Sequence, residues 1–307
     1  MAPRPDFAPA AIGYACRMPL SALLLVAVAA FLHAWWNLLM KRAGAGGLVF
    51  VWGICVATSL TFAIPVLAFL RAELAAFDAA IAVAVLASAA VHTLYLWVLQ
   101  RGYAAGDLSV VYPVARGVGP ALAALGAIAL LGEAATMASI AGLALIVAGT
   151  FTIAGGWAML RARARLGPGI AWGAAIGVTI AVYTVNDGRA VRLLRADPIV
   201  YYWLVNVVQA LALAPWVVRH AGEARTLVAR HGRTLLGVGV LSPLGYMLAL
   251  QAMTLAPVSH VAPARELSML IAAFLGARLL GEGHLWRRVA GAALIASGVA
   301  ALALAGS

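Results

Sequence analysis

Long apolar runs separated by short polar breaks dominate the chain. Ten such runs lie near 19–40, 47–70, 79–100, 109–131, 136–158, 168–187, 199–218, 234–254, 258–280 and 286–305. A membrane crossing needs about 20 mostly apolar residues in helical form. The runs do not alternate polar with apolar positions over ten-residue stretches, as barrel strands would, so each predicts a helix. The breaks carry charges or turn residues: Lys41-Arg42, Arg71–Asp78, Gly106-Asp107, Gly132-Glu133, Arg161–Arg165, Arg189–Asp197, Arg219–Arg233, Ala256-Pro257 and Glu282–Arg288. None is long enough to bury a core of its own. The first run follows Arg17 and is too long for a typical cleaved signal segment, so it reads as a retained helix.

Composition supports the pattern. The 307 residues are 65% hydrophobic and 10% charged, with mean hydropathy +1.01. A soluble domain is about half apolar and about a quarter charged. Too few charges remain to cover a water-facing surface, which excludes a soluble enzyme, a disordered chain and a nucleic-acid-binding domain. The formal net charge of +11 then belongs to loops beside a membrane rather than to a nucleic-acid partner. Cys16 and Cys55 show no metal or redox spacing, and no cofactor or metal is expected. The fold class read from these features is an all-α integral membrane protein, multi-pass in the inner (plasma) membrane and surrounded by lipid.

The chain also repeats. Residues 115–149 align with 264–298 at a constant offset of 149. Ala115-Arg116 matches Ala264-Arg265, Leu130-Leu131-Gly132-Glu133 matches Leu279-Leu280-Gly281-Glu282, and Gly142 and Gly149 match Gly291 and Gly298. Asn37 pairs with Asn186 at the same offset, and Tyr95 with Tyr246 after a two-residue shift. Ten spans then become two five-helix units, 19–158 and 168–305. Because five is odd, the second unit enters from the opposite face, giving two inverted repeats. That plan recurs in secondary transporters, whose sites lie between the halves near the midplane.

Ten spans, a five-plus-five repeat and Leu-Leu-Gly-Glu closing the fourth and ninth spans resemble the drug/metabolite transporter superfamily, in its EamA-type branch. The resemblance covers nearly the whole chain. It implies a ten-span transporter of small metabolites, favours export, and leaves the substrate open. The stretches Tyr112–Gly117 and Ala262–Glu266 resemble a subgroup, some of whose members carry a link to phosphonate utilisation.

Charges within spans are costly and face a bundle interior or a water-filled cavity. Arg116 and Arg265 lie about seven residues into their spans, roughly 10 Å deep. As repeat equivalents they point to a two-arginine clamp on an anionic group, since a guanidinium fork matches carboxylate or phosphate. The alternative is structural pairing, for example with Glu266. Glu266 breaks the repeat, its equivalent being Gly117, and can neutralise an arginine, bind an amine or carry a coupling proton. His33 and Asn37 share one face of the first span, His92 and Tyr95 one face of the third, and Tyr183, Asn186 and Asp187 one end of the sixth. With Tyr246 they form either a polar and aromatic lining for substrate or interhelical hydrogen bonds. Asp187 is a second candidate for coupling, or a cap. Counting Arg116, Arg265, Glu266 and Asp187, the in-span charge sums to zero, which suits an amino-acid-like zwitterion, an aminophosphonate or an organic anion. Glu133 and Glu282 are expected to fix helix junctions. The small faces Gly142–Gly149 and Gly291–Gly298 suit either internal packing or a homodimer contact.

Twelve basic residues lie in the loops on one side and six on the other. The positive-inside rule puts both termini outside, whereas the resemblance implies cytoplasmic termini. The leading function is secondary transport of a small polar metabolite by alternating access. A lipid-linked-sugar flippase on the same fold, a passive channel and an intramembrane enzyme are the alternatives. The last lacks any GxSxG, HExxH or GxGD motif.

Overall fold

The computed structural model describes residues 18–43, 47–106, 108–154, 166–271 and 285–304. The described residues form helices and no strand. In order these are α1 (Leu20–Ala43), α2 (Leu48–Phe69), α3 (Arg71–Ala75), α4 (Ala79–Ala105), α5 (Leu108–Leu131), α6 (Met137–Ala154), α7 (Leu166–Arg192), α8 (Pro198–Arg219), α9 (Ala221–Leu255), α10 (Val258–Ala264) and α11 (Leu285–Leu304). Seven of them, α1, α2, α4, α5, α7, α8 and α9, are long and apolar enough to cross a membrane; α6 and α11 are apolar but shorter. Leu60, Ile64, Phe69, Leu130, Leu211 and Val218 are exposed on the outside of the bundle, where a lipid environment suits them.

Three differences from the sequence reading stand out. The predicted ninth span is interrupted: α10 ends at Ala264, residues 265–266 form a turn, and helix resumes at 267–271. Pro263 has no N–H to continue the ladder, and Glu266 and Ser268 donate their backbone N–H groups to the Pro263 and Arg265 carbonyls three residues back. The rest of that span, with Glu282, lies outside the described residues. Second, the predicted loop 219–233 is largely helical, because α9 begins at Ala221 and bends at His231, whose φ of −125° is non-helical. Its Ala, Glu, Arg and Leu are good helix formers, although their charges lower the hydropathy. Third, Arg71–Ala75 adds a short helix.

Small residues set the helix contacts. Gly173 and Gly177 of α7 face Val114 and Val118 of α5, and a Cβ on either would meet those side chains at 2.7 and 2.8 Å. The two helices run parallel at constant register. α6 and α11 cross antiparallel through reciprocal glycines: a Cβ on Gly149 would sit 2.6 Å from the Gly291 carbonyl oxygen, and one on Gly298 would sit 2.6 Å from that of Gly142. These small faces are therefore consumed within the chain rather than left for a second copy. α1 packs on α9, α4 on α7 and α2 on α8. Two indoles tie the last pair, Trp52 Nε1 donating to the Ala210 carbonyl (3.1 Å) and Trp203 Nε1 to that of Ser59 (2.9 Å).

The interior is divided lengthwise. One half is a dry core of Met18, Val26, Ile81, Val191, Met253 and Val258 with their neighbours. These come from the start of α1 and the residues just before it, the start of α4, the ends of α7 and α9, and the start of α10. The other half is a cavity.

Candidate functional site

A cavity of about 510 Å³ occupies the half of the bundle next to the α1–α2 and α4–α5 junctions. Its walls come from the second half of α1 (His33, Trp36, Asn37, Met40), the first half of α2 (Gly47 to Cys55), the second half of α4 (His92 to Tyr103) and the first half of α5 (Tyr112 to Ala123). α7, α8, α9 and the broken α10 segment close it. Met40, Gly47, Tyr103 and Tyr112 stand at its junction end. The packed core of buried apolar residues lies at the other end.

Two charged groups meet where α5 passes the broken segment. Arg116 Nη2 lies 3.0 Å from Glu266 Oε2, with Glu266 2% exposed, and it donates to Ser268 Oγ at 3.0 Å. The contact is one-pronged: Arg116 Nε and Glu266 Oε2 are buried without a directed hydrogen bond. The chain break at 265–266 brings Glu266 and Ser268 to Arg116, which a straight helix would carry past one another. Arg265 is placed differently from its repeat partner. Its guanidinium lies over the Tyr246 ring, 4.8 Å from the centroid, a cation–π contact.

A ring cluster continues from Tyr246. Tyr202 packs on it at 4.5 Å between centroids, and His92 meets it edge-on at 5.8 Å. His92 stacks on Tyr183 at 4.0 Å, and Tyr95 meets Tyr183 edge-on at 5.8 Å. His92 Nδ1 is 2.9 Å from the Ser88 carbonyl. A carbonyl only accepts, so Nδ1 carries a proton and donates it there.

Of the expected site residues, Arg116, Arg265, Glu266, His92, Tyr95, Tyr246, Tyr183 and Asn37 line the cavity. Asn37 Nδ2 also donates to the His33 carbonyl of its own helix at 2.7 Å. Asn186 and Asp187 do not line it. Asp187 is fully buried behind Tyr246. Its Oδ2 accepts from the Tyr246 hydroxyl at 2.7 Å and its Oδ1 from Tyr201 at 2.8 Å. Asn186 Nδ2 donates to the Ala84 carbonyl at 2.9 Å. Both residues sit at the boundary between cavity and dry core, where α7 turns them toward α4 and α8. Tyr202, Asn206 and Gln209 line the cavity and were not expected in the site; their spacing along one face of α8 was the available signal.

The dry side is fastened by the first Leu-Leu-Gly-Glu. Gly132 adopts φ +70°, a left-handed conformation that glycine takes without strain. The turn carries Glu133 to the start of α10, where its two oxygens accept from the Val258 and Ser259 backbone N–H groups at 2.7 and 2.8 Å. Arg192 Nε approaches the same carboxylate at 3.6 Å, and Arg192 Nη1 donates to the Met253 carbonyl at 3.0 Å and to that of Ala256. Glu133 thus joins α5, α7, α9 and α10.

The comparisons agree with this architecture. Residues 167–304 match the EamA-like transporter family. The match covers a little under half of the chain and corresponds to one EamA domain. The family lies within the drug/metabolite transporter superfamily, so the fold is that of a multi-pass membrane protein of the transporter kind. Arg265 and Glu266 stand inside the EamA domain, while Arg116 and Glu133 reach it from outside the matched residues. A solved crystal structure, described only as that of a protein, has TM-score 0.67 over 94% of this chain and 98% of its own at 19% identity; it speaks to fold alone. No curated protein matches the chain.

Proposed function

We propose that the protein is a secondary active transporter that carries a small polar metabolite bearing an anionic group by alternating access. One observation carries the reading: a cavity of about 510 Å³ inside an apolar bundle is lined by Arg265 and by the buried Arg116–Glu266 pair. Such charge is costly in lipid and belongs to substrate or ion paths. The proposed units are 19–158 and 168–305, two inverted five-helix repeats making ten spans. The matched contacts support them: an offset of 149 exchanges the α1–α9 pair with the α7–α4 pair, and maps the α6–α11 glycine crossing onto itself.

Arg265 is the substrate anchor in this reading. Arg116 and Glu266 form an exchangeable pair: a substrate anion competes with Glu266 for Arg116, and a freed Glu266 takes up a proton. That exchange would couple transport to protons. Asp187, with both oxygens occupied behind Tyr246, holds the ring that carries Arg265 and does not meet substrate. His92, Tyr95, Tyr183, Tyr246 and Asn37 contribute wall. Export at the inner membrane is the favoured direction.

The test uses purified protein in liposomes with amino acids, organic acids and aminophosphonates, with and without a pH gradient. Saturable flux is expected, lost in folded R265A and reduced in R116A. Equal flux in wild type and both variants, or no flux of any probe, overturns the reading.

A further inference from the structure

We infer that the cavity selects a monoanion with a flat aromatic body, and rejects the corresponding zwitterion and amine; this rests on the transporter reading above. Of the two arginines at the wall, Arg265 is the one without a carboxylate to displace among the described residues. Arg116 already contacts Glu266 and Ser268 through the same nitrogen. Arg265 has no carboxylate partner among the described residues, and it lines the cavity. With Asp187 off the wall, the charge that the described lining residues present is one net positive, left on Arg265 once Arg116 and Glu266 are paired.

No described residue at the wall offers an ammonium group an unpaired carboxylate. Glu266 is the one carboxylate among the described lining residues, and it is buried against Arg116. The ring cluster could hold a cation by its π faces, but Arg265 already covers the face of Tyr246. A second cation beside it would be repelled. Arg265 leaves its planar fork for a carboxylate. Tyr246, Tyr202, His92 and Tyr183 continue from it as one wall of rings with centroids 4.0 to 6.1 Å apart. Ring walls favour offset or edge-on aromatic partners. A carboxylate on Arg265 therefore directs an aryl group along that wall.

Equilibrium dialysis of the purified full-length protein in detergent tests this without depending on transport. The probes are radiolabelled phenylacetate, phenylalanine, phenethylamine and acetate. Phenylacetate should bind at least about tenfold tighter than each of the others, the size of one lost charge-assisted contact or one buried ring. R265Q should weaken it by about tenfold or more, with R265K intermediate because a charge without the fork remains. Failure of phenylacetate to bind overturns the inference, as does equal binding of phenylalanine or phenethylamine. Unchanged binding to a folded R265Q, judged by its gel-filtration position, overturns it too. Should R265Q not fold, the ranking of probes on the wild-type protein decides. Flux in liposomes separates the two readings: aryl acid bound but never moved overturns the transporter reading, whereas flux of a non-aryl anion without aryl binding overturns this inference alone.

Discussion

Replacing Glu266 by methionine tests the energetic core of the site. The variant leaves the Arg116 guanidinium beside an apolar side chain, with Ser268 Oγ as its remaining hydrogen-bond acceptor. Breaking a buried ion pair from one side costs about 3–5 kcal/mol, because an uncompensated charge stays behind. At about 2 °C per kcal/mol or a little more for a chain of this length, E266M should melt about 6–12 °C below wild type in detergent. R116M should cost less, since a stranded carboxyl can shed its charge by taking up a proton and a guanidinium cannot. The double variant R116M/E266M replaces the pair with apolar groups of similar length, an exchange that is often neutral. It should melt within about 3 °C of wild type, so the two single losses fail to add by about 3 kcal/mol or more, the signature of direct coupling. Thermal unfolding followed by tryptophan fluorescence measures all four proteins. If the double variant loses the sum of the singles, or E266M melts with wild type, Arg116 and Glu266 do not form the pair described.

Three further outcomes follow from other contacts. E133Q removes the charge that caps α10 and turns one amide N–H₂ toward a backbone donor; it should cost about 2–3 kcal/mol, read as lowered melting and as faster protease cleavage between α9 and α10. G291A places a Cβ 2.5 Å from Ile153 Cγ1 and 2.7 Å from the Gly149 carbonyl; it should destabilise by about 1–3 kcal/mol, while the same change at Gly117, where nothing lies within 4 Å, should leave the melting temperature unaltered. Y246F keeps the ring under Arg265 but strands Asp187 Oδ2; it should lower stability by about 1.5–3 kcal/mol, and Y246A should additionally abolish the ligand dependence of melting.

Much of the helical plan was legible. The boundaries of α2 and α8 lie within a residue or two of the apolar runs, because hydropathy sets where a helix leaves lipid. The small faces Gly142–Gly149 and Gly291–Gly298 were readable as close-packing faces, although their pairing with each other was not. Glu133 was expected at a junction, and its chemistry as a cap on α10 needed coordinates, since residues 133 and 258 are far apart in the chain. Hydropathy missed the helix at 221–230 because arginine lowers a window average without lowering helix propensity.

At the site the limit is sharper. Residue type and depth sufficed to select Arg116, Arg265 and Glu266, because charge inside an apolar run has few explanations. Equivalence in the repeat suggested that the two arginines are placed alike, and they are not. The break at Pro263–Glu266 turns Glu266 and Ser268 toward Arg116 and leaves Arg265 on Tyr246. Asp187 looked available to substrate from its place at the end of a run, yet α4, α8 and α9 converge on it and occupy both oxygens. What the sequence determined by itself was the environment of each segment, since transfer between water and lipid depends on composition summed along a run. Which charges neutralise one another and which face the cavity depend on contacts of a few ångströms between distant helices. Those contacts exist only once the bundle has packed.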